Sequence, residues 1–524
     1  MISRQRKWDT ILLFASIIII GIGVSARIFA FLINRSLWLD EAFLASSVVN
    51  RDFIGLCSPL DYKQGAPVGF LWITKTLTYL FGTSEYVLRL PSLISGLGSI
   101  PLFYLILKNV FKDPRPYIGT AFFATIPFLI YYSIEFKPYM FDVFLSLAIV
   151  YLFHLAIEKR IATWNLTLFC TFSLWFSFPA IFTVAAFCSL WVVHSVIQKQ
   201  KEELYRSMSV GIISAISFLL YYVTLYSNLG ENRSVGFWNL MKFPFIPHNL
   251  QDLKLMYLMG RHYLEIFGSP AHYLVAILSL VGIIMLLNKE RRLFVVFVLL
   301  EAIIILIASW LGKYPILNRI LLFYVPLHSL FIALTLGDMS RRLKQFGLFL
   351  SLIFILVNIG SIRYFLPKHI FRPGCEVNPI ISKVESIRNG ITIYIHAKAI
   401  PQYEYKTGYQ GRLTNEPDLQ PVTSNGVIYG TEYFHFAYNK PYSWDAVVDS
   451  NKLIQDISAI EANDKVYILT AMPIKLNTLL SSLQITGTLR EIMNVYETRL
   501  YLYEKSDIEQ KQGMDSSLFS KDHK

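Results

Sequence analysis

The sequence predicts a polytopic α-helical membrane protein that carries a small α/β domain in its C-terminal part. Three observations predict it. Only 16% of the 524 residues are charged while 54% are hydrophobic, against about 25% charged in an ordinary soluble chain. Eleven long apolar runs succeed one another between residues 10 and 366, and clusters of Lys and Arg fall in alternate gaps, as the positive-inside rule requires. Beyond residue 366 the composition turns polar and strand-like runs appear at 391–397, 426–430, 465–471 and 498–504.

The first run, 10–33, exceeds the apolar core of a signal peptide, and no small-residue cleavage pattern follows it. The runs at 90–107, 117–134, 143–157, 207–229, 270–287, 294–312, 320–337 and 347–366 lie near the length of about 20 residues that a helix needs to cross the hydrocarbon. Those at 165–176 and 180–197 are shorter. Both flanks of that pair are basic, so the chain returns to the side it left, with Ser177-Phe178-Pro179 as the turn. The segment 66–82 is apolar enough to span, but counting it would move Lys108, Lys112 and Arg115 to the outer side. It is therefore expected to lie in the interface, with Lys75 and Thr76 facing the headgroups. The basic clusters at 4–7, 108–115, 159–160, 199–206, 289–292 and 341–344 then share one side.

This arithmetic gives about eleven spans, a cytoplasmic N-terminus and an extracytoplasmic C-terminal part. The expected organisation is a membrane domain over 1–366, an α/β domain over 367–505 and a disordered tail over 506–524. The membrane domain includes an outer juxtamembrane segment at 34–89 and an outer loop at 230–269. Helical stretches at 453–461 and 474–483 between the strands give the β/α alternation of a small open sheet. The net charge of +12 belongs to the inner clusters and does not call for nucleic acid. No glycine-rich nucleotide fingerprint is present. The four cysteines have neither metal nor redox spacing.

Candidate chemistry concentrates on the outer side. Asp40 and Glu41 sit side by side in SLWLDEAF, just after the first span. Adjacent helical positions diverge by about 100°, so the two carboxylates would face different surroundings. One reading is general-base chemistry near a low-dielectric boundary; the other is a solvated pair favoured by the helix dipole. The segment YYSIEFKPYMFD places Glu135, Lys137 and Asp142 within eight residues. Asp142 is either functional or a helix cap, and Glu135 with Lys137 is either functional or an ion pair. Arg89, Lys313 and Arg319 are outer cations that suit an anionic partner such as a phosphate. For Arg27, snorkelling to the interface is expected. Glu301 lies mid-span with no assigned role, and His154, His194 and His328 read as buried structural groups.

Taken in order, these motifs resemble the GT-C membrane glycosyltransferases, of the protein O-mannosyltransferase and aminoarabinose-transferase type. The matching elements are WLDEAF, the Pro-containing juxtamembrane stretch from Gln64 to Trp72, Arg89-Leu90-Pro91, YYSIEFKPY and the KYPILNRILLFYVP segment from Lys313 to Pro326. The resemblance covers roughly residues 10–370. It implies transfer of a sugar from a polyprenyl-phosphate donor to a glycan, lipid or protein acceptor on the outer face, with inversion and with Asp40 as the base. Glu41 would support Asp40 or help it hold a divalent metal. Asp142 matches an acidic position of the family and Arg89 an important arginine; Arg319 would meet the carrier phosphate. The family's Glu-Lys-Pro is replaced here by Gly65-Ala66-Pro67, which leaves metal dependence open and makes Lys63 a stand-in for the missing lysine. Other readings are a flippase for lipid-linked sugars or a non-catalytic envelope-assembly protein. The loop charges suit a bacterial inner membrane.

Overall fold

The structure, a computed structural model, describes residues 2–226, 242–268, 271–287, 291–342, 345–370, 376–387, 392–395, 399–407, 422–424, 427–429, 434–440, 443–448, 465–470, 487–496 and 498–505. It divides into two units, one of residues 1–34 and 48–370, the other of residues 35–47 and 371–524.

Helices build the first unit: α1 (Ile2–Leu32), α2 (Leu39–Asn50, which runs in from the second unit), α3 (Val68–Phe81), α4 (Glu85–Leu105), α5 (Pro116–Ala124), α6 (Pro127–Tyr132), α7 (Tyr139–Ile157), α8 (Thr163–Phe176), α9 (Ala180–Ile197) and α10 (Lys201–Tyr221). Helices Leu250–Leu264, Ala271–Leu286, Arg292–Trp310, Val325–Arg342 and Gln345–Ile370 follow. Among the described residues seven helices are long and apolar enough to cross a bilayer, or eight if the pair Leu250–Phe267 and Ala271–Leu286, bent by 106°, is one span. The protein is thus a polytopic helical membrane protein. Its outward faces agree: Ile11, Phe14 and Ile18 of α1 and Ile212, Ile216 and Leu219 of α10 are exposed at helical spacing, a belt that water would penalise and lipid would not.

The other expected spans correspond to shorter pieces. α8 has 14 residues, and the apolar stretch of the last membrane helix is Phe349–Arg363. The run 117–134, read as one span, is broken into α5 and α6. Pro127 supplies the cause, since its ring removes an N–H and clashes with the carbonyl four residues back. Ile126 before it is extended, as a residue preceding proline prefers to be.

That break corrects the reading of Arg27. The guanidinium is fully buried and does not snorkel. It donates to the carbonyls of Gly23 at 2.9 Å and of Ala124 at 2.6 Å. Ala124 ends α5, where carbonyls lack intrahelical donors and a cation is favoured. Gly23, one turn earlier, makes the approach feasible, because a Cβ there would run into the Ala124 carbonyl.

The bundle's polar ends are sorted. Arg115 bonds Asp9 at 3.0 Å and Ser340 at 3.1 Å, while Asp338 pairs with Arg291 at 3.0 Å and with Arg341. Arg206 joins the Ala156 carbonyl and the Thr163 hydroxyl at 2.6 and 2.8 Å. These are the clusters that the charge pattern assigns to one side.

α3 is a short one-sided helix. It buries Val68, Phe70, Leu71 and Thr74 and exposes Trp72, Tyr79, Leu80 and Phe81. Lys75 does not face headgroups as expected. It is buried, and its ammonium donates to the carbonyls of Val48 and Val49 at 2.9 and 3.1 Å, closing the C-terminal end of α2.

The second unit has a small mixed sheet. Strands β1 (Thr392–Ile395), β2 (Val422–Ser424), β3 (Val427–Tyr429), β4 (Phe434–Lys440), β5 (Ser443–Val448), β6 (Lys465–Thr470), β7 (Gly487–Val495) and β8 (Thr498–Lys505) are described. Six of them form a sheet in the order β2-β3-β1-β6-β8-β7, and β4 pairs with β5 apart from it. β1 is parallel to both β3 and β6, while β8 is antiparallel to β6 and β7. All four strand-like runs read from sequence are strands. Helix Asn378–Ile387 packs Val377, Ile380, Ile381 and Val384 into one apolar cluster with Ile393, Ile395, Leu469 and Leu500. The expected helices at 453–461 and 474–483, the tail 506–524, and residues 230–241 of the expected outer loop lie outside the described residues. Residues 250–267 of that loop are helical.

Candidate active site

Trp38 stands at the N-cap of α2, which puts Asp40 and Glu41 in its first turn. The divergence expected of adjacent helical positions is realised. Glu41 is fully buried and Asp40 half-buried. Glu41 Oε2 accepts from Arg35 Nη1 at 2.9 Å and from the Trp38 amide at 3.2 Å. The second bond is one half of a capping box, in which the third helical residue reaches back to the N-cap amide. Glu41 is therefore held by a buried guanidinium and a helix terminus. Among the described residues no three His, Cys, Asp or Glu side chains gather in a way that could hold a metal ion. With one Glu41 oxygen already engaged twice, the Asp40–Glu41 pair lacks the donor set of a metal centre.

In the first unit, the YYSIEFKPYMFD segment forms the turn between α6 and α7. It is buried, Glu135 and Lys137 included, except for the half-buried Tyr139 and Phe141, and Tyr131, Tyr132 and Tyr139 pack as a ring cluster rather than as an interfacial belt. Small residues permit this depth. Gly96 of α4 lies against Ser133 with no room for a Cβ, and the Ser92 hydroxyl donates to the Lys137 carbonyl at 3.0 Å. Lys137 Nζ then donates to Gln64 Oε1 at 2.8 Å. A buried ammonium is costly without polar partners, and Gln64 supplies one from the juxtamembrane stretch. That stretch is stapled by Arg51, which bonds Asp61 at 2.5 Å and the Pro59 carbonyl at 2.8 Å. Tyr62 turns the chain through a left-handed φ of 54° just before Gln64.

Arg89 is buried on α4, one turn before Ser92, and so rises on the same side of that helix. Asp142 occupies the first turn of α7 and is buried, with Oδ1 lacking a hydrogen-bond partner among the described residues. The Ser177 hydroxyl, at the α8–α9 turn, is beside it. The Lys313–Arg319 loop packs nearby on α9. The Tyr314 ring meets Phe182 at 4.8 Å, and Phe182 stacks on Phe323 at 5.8 Å. Arg319 is half-buried and Lys313 exposed. The structure thus brings Gln64, Ser92 and Lys137 into contact and sets Asp142 beside Ser177. Lys63 belongs to the turn Asp61–Lys63, and its side chain lies outside the described residues.

Arg35, Ser92 and Ser177 were missed in the sequence. Arg35 had a legible signal, an outer arginine six residues before a carboxylate. The two serines carry none, since a hydroxyl within an apolar run usually bonds its own helix.

A helical bundle with buried polar side chains, followed in sequence by a mixed sheet, is a fold shared with solved membrane glycosyltransferases. The crystal structure of ArnT from Cupriavidus metallidurans bound to undecaprenyl phosphate matches with a TM-score of 0.50 at 10% identity, covering 93% of this chain and 97% of that one. The Archaeoglobus fulgidus oligosaccharyltransferase tethered with an acceptor peptide matches at 0.48 and 13% identity, over 75% of this chain. This chain spans 63% of that enzyme's length. More particularly, residues 65–178 match the family described as dolichyl-phosphate-mannose-protein mannosyltransferase. That stretch includes Arg89, Glu135, Lys137, Asp142 and Ser177 and leaves Asp40 and Glu41 outside. No match is found among curated proteins. The resemblance to the mannosyltransferase and ArnT type of GT-C enzyme read from the motifs is borne out.

Proposed function

We propose that the chain transfers a sugar from a polyprenyl-phosphate donor to an acceptor hydroxyl on the extracytoplasmic face of the membrane, with inversion. The observation that carries this reading is the unequal environment of the carboxylate pair. Glu41 Oε2 accepts from both Arg35 and the Trp38 amide, while Asp40 is half-buried at the same helix start. Such an asymmetry supports the reading of Asp40 as the base and Glu41 as its support. Eleven spans are counted, with the broken α5–α6 pair and the short α8 each taken once. On that count the basic clusters are assigned to the cytoplasm and the C-terminal part of the chain to the extracytoplasmic side. A bacterial inner membrane suits that arrangement.

In the reaction, the acceptor oxygen attacks the anomeric carbon and the Asp40 carboxylate takes its proton. The bond from that carbon to the phosphate oxygen breaks, and polyprenyl phosphate leaves with the bonding electrons. General-base assistance of this kind contributes about 10²–10⁴-fold. Arg89, Lys137 and Arg319 are assigned to the growing charge on the phosphate, where fixed donors in a dry site act most strongly. Gln64 orients Lys137, and Glu135 and Asp142 are assigned to the sugar hydroxyls. Lys63 and the exposed Lys313 are assigned to approach of the anionic donor.

The test is release of polyprenyl phosphate from a panel of polyprenyl-phosphate hexoses and pentoses. Purified wild type, Asp40→Asn and Lys137→Met are compared in detergent with envelope extract as acceptor. Release by wild type, its loss in Asp40→Asn and a raised donor KM in Lys137→Met are expected. Donor binding with no release by any of the three would replace catalysis with translocation.

A further inference from the structure

The short segment that carries the carboxylate pair is tied to the C-terminal part of the chain, 340 residues away in sequence. Residues 35–47 and those from 371 onward form one compact unit. Ser36 is the joint. Its amide and its hydroxyl both donate to Glu376 Oε2, at 3.3 and 3.1 Å. The same hydroxyl oxygen accepts from the Asn378 amide at 3.1 Å. Asn378 opens helix Asn378–Ile387, so Ser36 satisfies one of the amides that a helix start leaves without a partner.

That helix is not free to wander. Val377, Ile380 and Ile381 are buried in the cluster under the sheet, so the position of Glu376 is inherited from the sheet. On the other side of the joint, Arg35 pairs with Glu41 and Trp38 starts the helix of Asp40. Three residues separate Ser36 from Asp40, too few to absorb a displacement without moving it.

We propose that Glu376 is a positioning residue for Asp40: through Ser36, the C-terminal sheet domain sets the aim of the catalytic base. This rests on the reading of Asp40 as base. The second unit is then a working part of the transferase rather than an appended module. A base displaced by about 1 Å loses on the order of 10²-fold in rate, and a partly relaxed joint less.

The experiment uses the full chain in detergent with the donor that wild type consumes. Glu376→Ala and Ser36→Ala are expected to lower kcat by about 10-fold or more, with donor KM changed less than about 2-fold. The double variant should lose no more than the worse single one, because both break the same joint. Glu376→Gln keeps an acceptor oxygen for Ser36 and should restore most of kcat. Thermal midpoints are recorded for all variants. A kcat for Glu376→Ala within about 2-fold of wild type overturns the proposal. Equal losses in Glu376→Ala and Glu376→Gln with lowered midpoints overturn it too, leaving only a structural contact. Asp40→Asn is assayed alongside: if it is inactive while Glu376→Ala is unaffected, only the positioning role fails. If Asp40→Asn remains active, the base assignment itself fails.

Discussion

Replacing Glu41 with Ala should do more damage than replacing Arg35 and Glu41 together. The Arg35 side chain is 2% exposed and Glu41 is fully buried, with their charged atoms 2.9 Å apart. Removing the carboxylate alone strands a buried guanidinium, which costs about 3–5 kcal/mol. Loss of the bond to the Trp38 amide adds about 1 kcal/mol, the worth of a helix cap. Glu41→Gln keeps an acceptor and forfeits the charge, so a loss of about 1.5–3 kcal/mol is expected. The double change Arg35→Met with Glu41→Leu removes both charges at similar volume and should be close to neutral. Hydrogen exchange of the amides from Trp38 to Ala45 measures this locally in detergent. At about 1.4 kcal/mol per factor of ten, Glu41→Ala should accelerate exchange by at least about 100-fold. A double variant as labile as Glu41→Ala would refute the argument, since the damage would then come from lost packing and not from an orphaned charge.

Gly23→Ala should destabilise the bundle by about 1–3 kcal/mol, seen as a lower thermal midpoint, because the new methyl group meets the Ala124 carbonyl. An unchanged midpoint would mean that α1 and α5 can separate freely there. The second expectation concerns pH. Burial raises the Asp113 carboxyl above its ordinary 3.8, against the opposing pull of the Arg115 amide and of Arg291 and Arg341. A raised folded value means that the native state holds the proton more tightly than the unfolded chain does. This contribution to stability is therefore full below 3.8 and is lost as pH rises through the folded value. Asp113→Asn should flatten that fall in a series of thermal midpoints taken upward from about pH 4. A steeper fall in the variant would reverse the sign and refute it.

Much of this fold could be read from residue order alone. Apolar run length and the alternation of basic gaps found the seven helices that, among the described residues, are long and apolar enough to cross a bilayer. The α8–α9 turn at Ser177–Pro179 is where both short runs and their charged flanks require it. Strands β1, β3, β6 and β8 stood out by their β-branched and aromatic content. What escaped were features set by contact between distant segments. Lys75 and Arg27 look like surface or snorkelling cations in any window of sequence. Only the ends of α2 and α5, supplied from elsewhere in the chain, turn them into caps. The break at Pro127 was legible in principle, yet the surrounding apolar run hid it. For the site, the clustering of Glu135, Lys137 and Asp142 was evident from spacing. The partner of Lys137 was not, because Gln64 lies 73 residues away.

The bond from Arg27 to the Ala124 carbonyl also has a consequence for biogenesis. A chain made from its N-terminus presents α1 to the bilayer long before the broken α5–α6 pair, 97 residues behind it. Until that pair arrives, Arg27 is a charge within a lipid-exposed helix, a cost that the apolar run of α1 has to carry alone. When the break does arrive, its bare carbonyl finds a donor already waiting, so irregular backbone need not face lipid unsatisfied. Each segment thus remedies the other's defect. The charge of Arg27 is relieved only when residues 116–132 have joined the first helix, so a nascent chain truncated before Pro116 should hold α1 in the membrane less firmly than the full chain does.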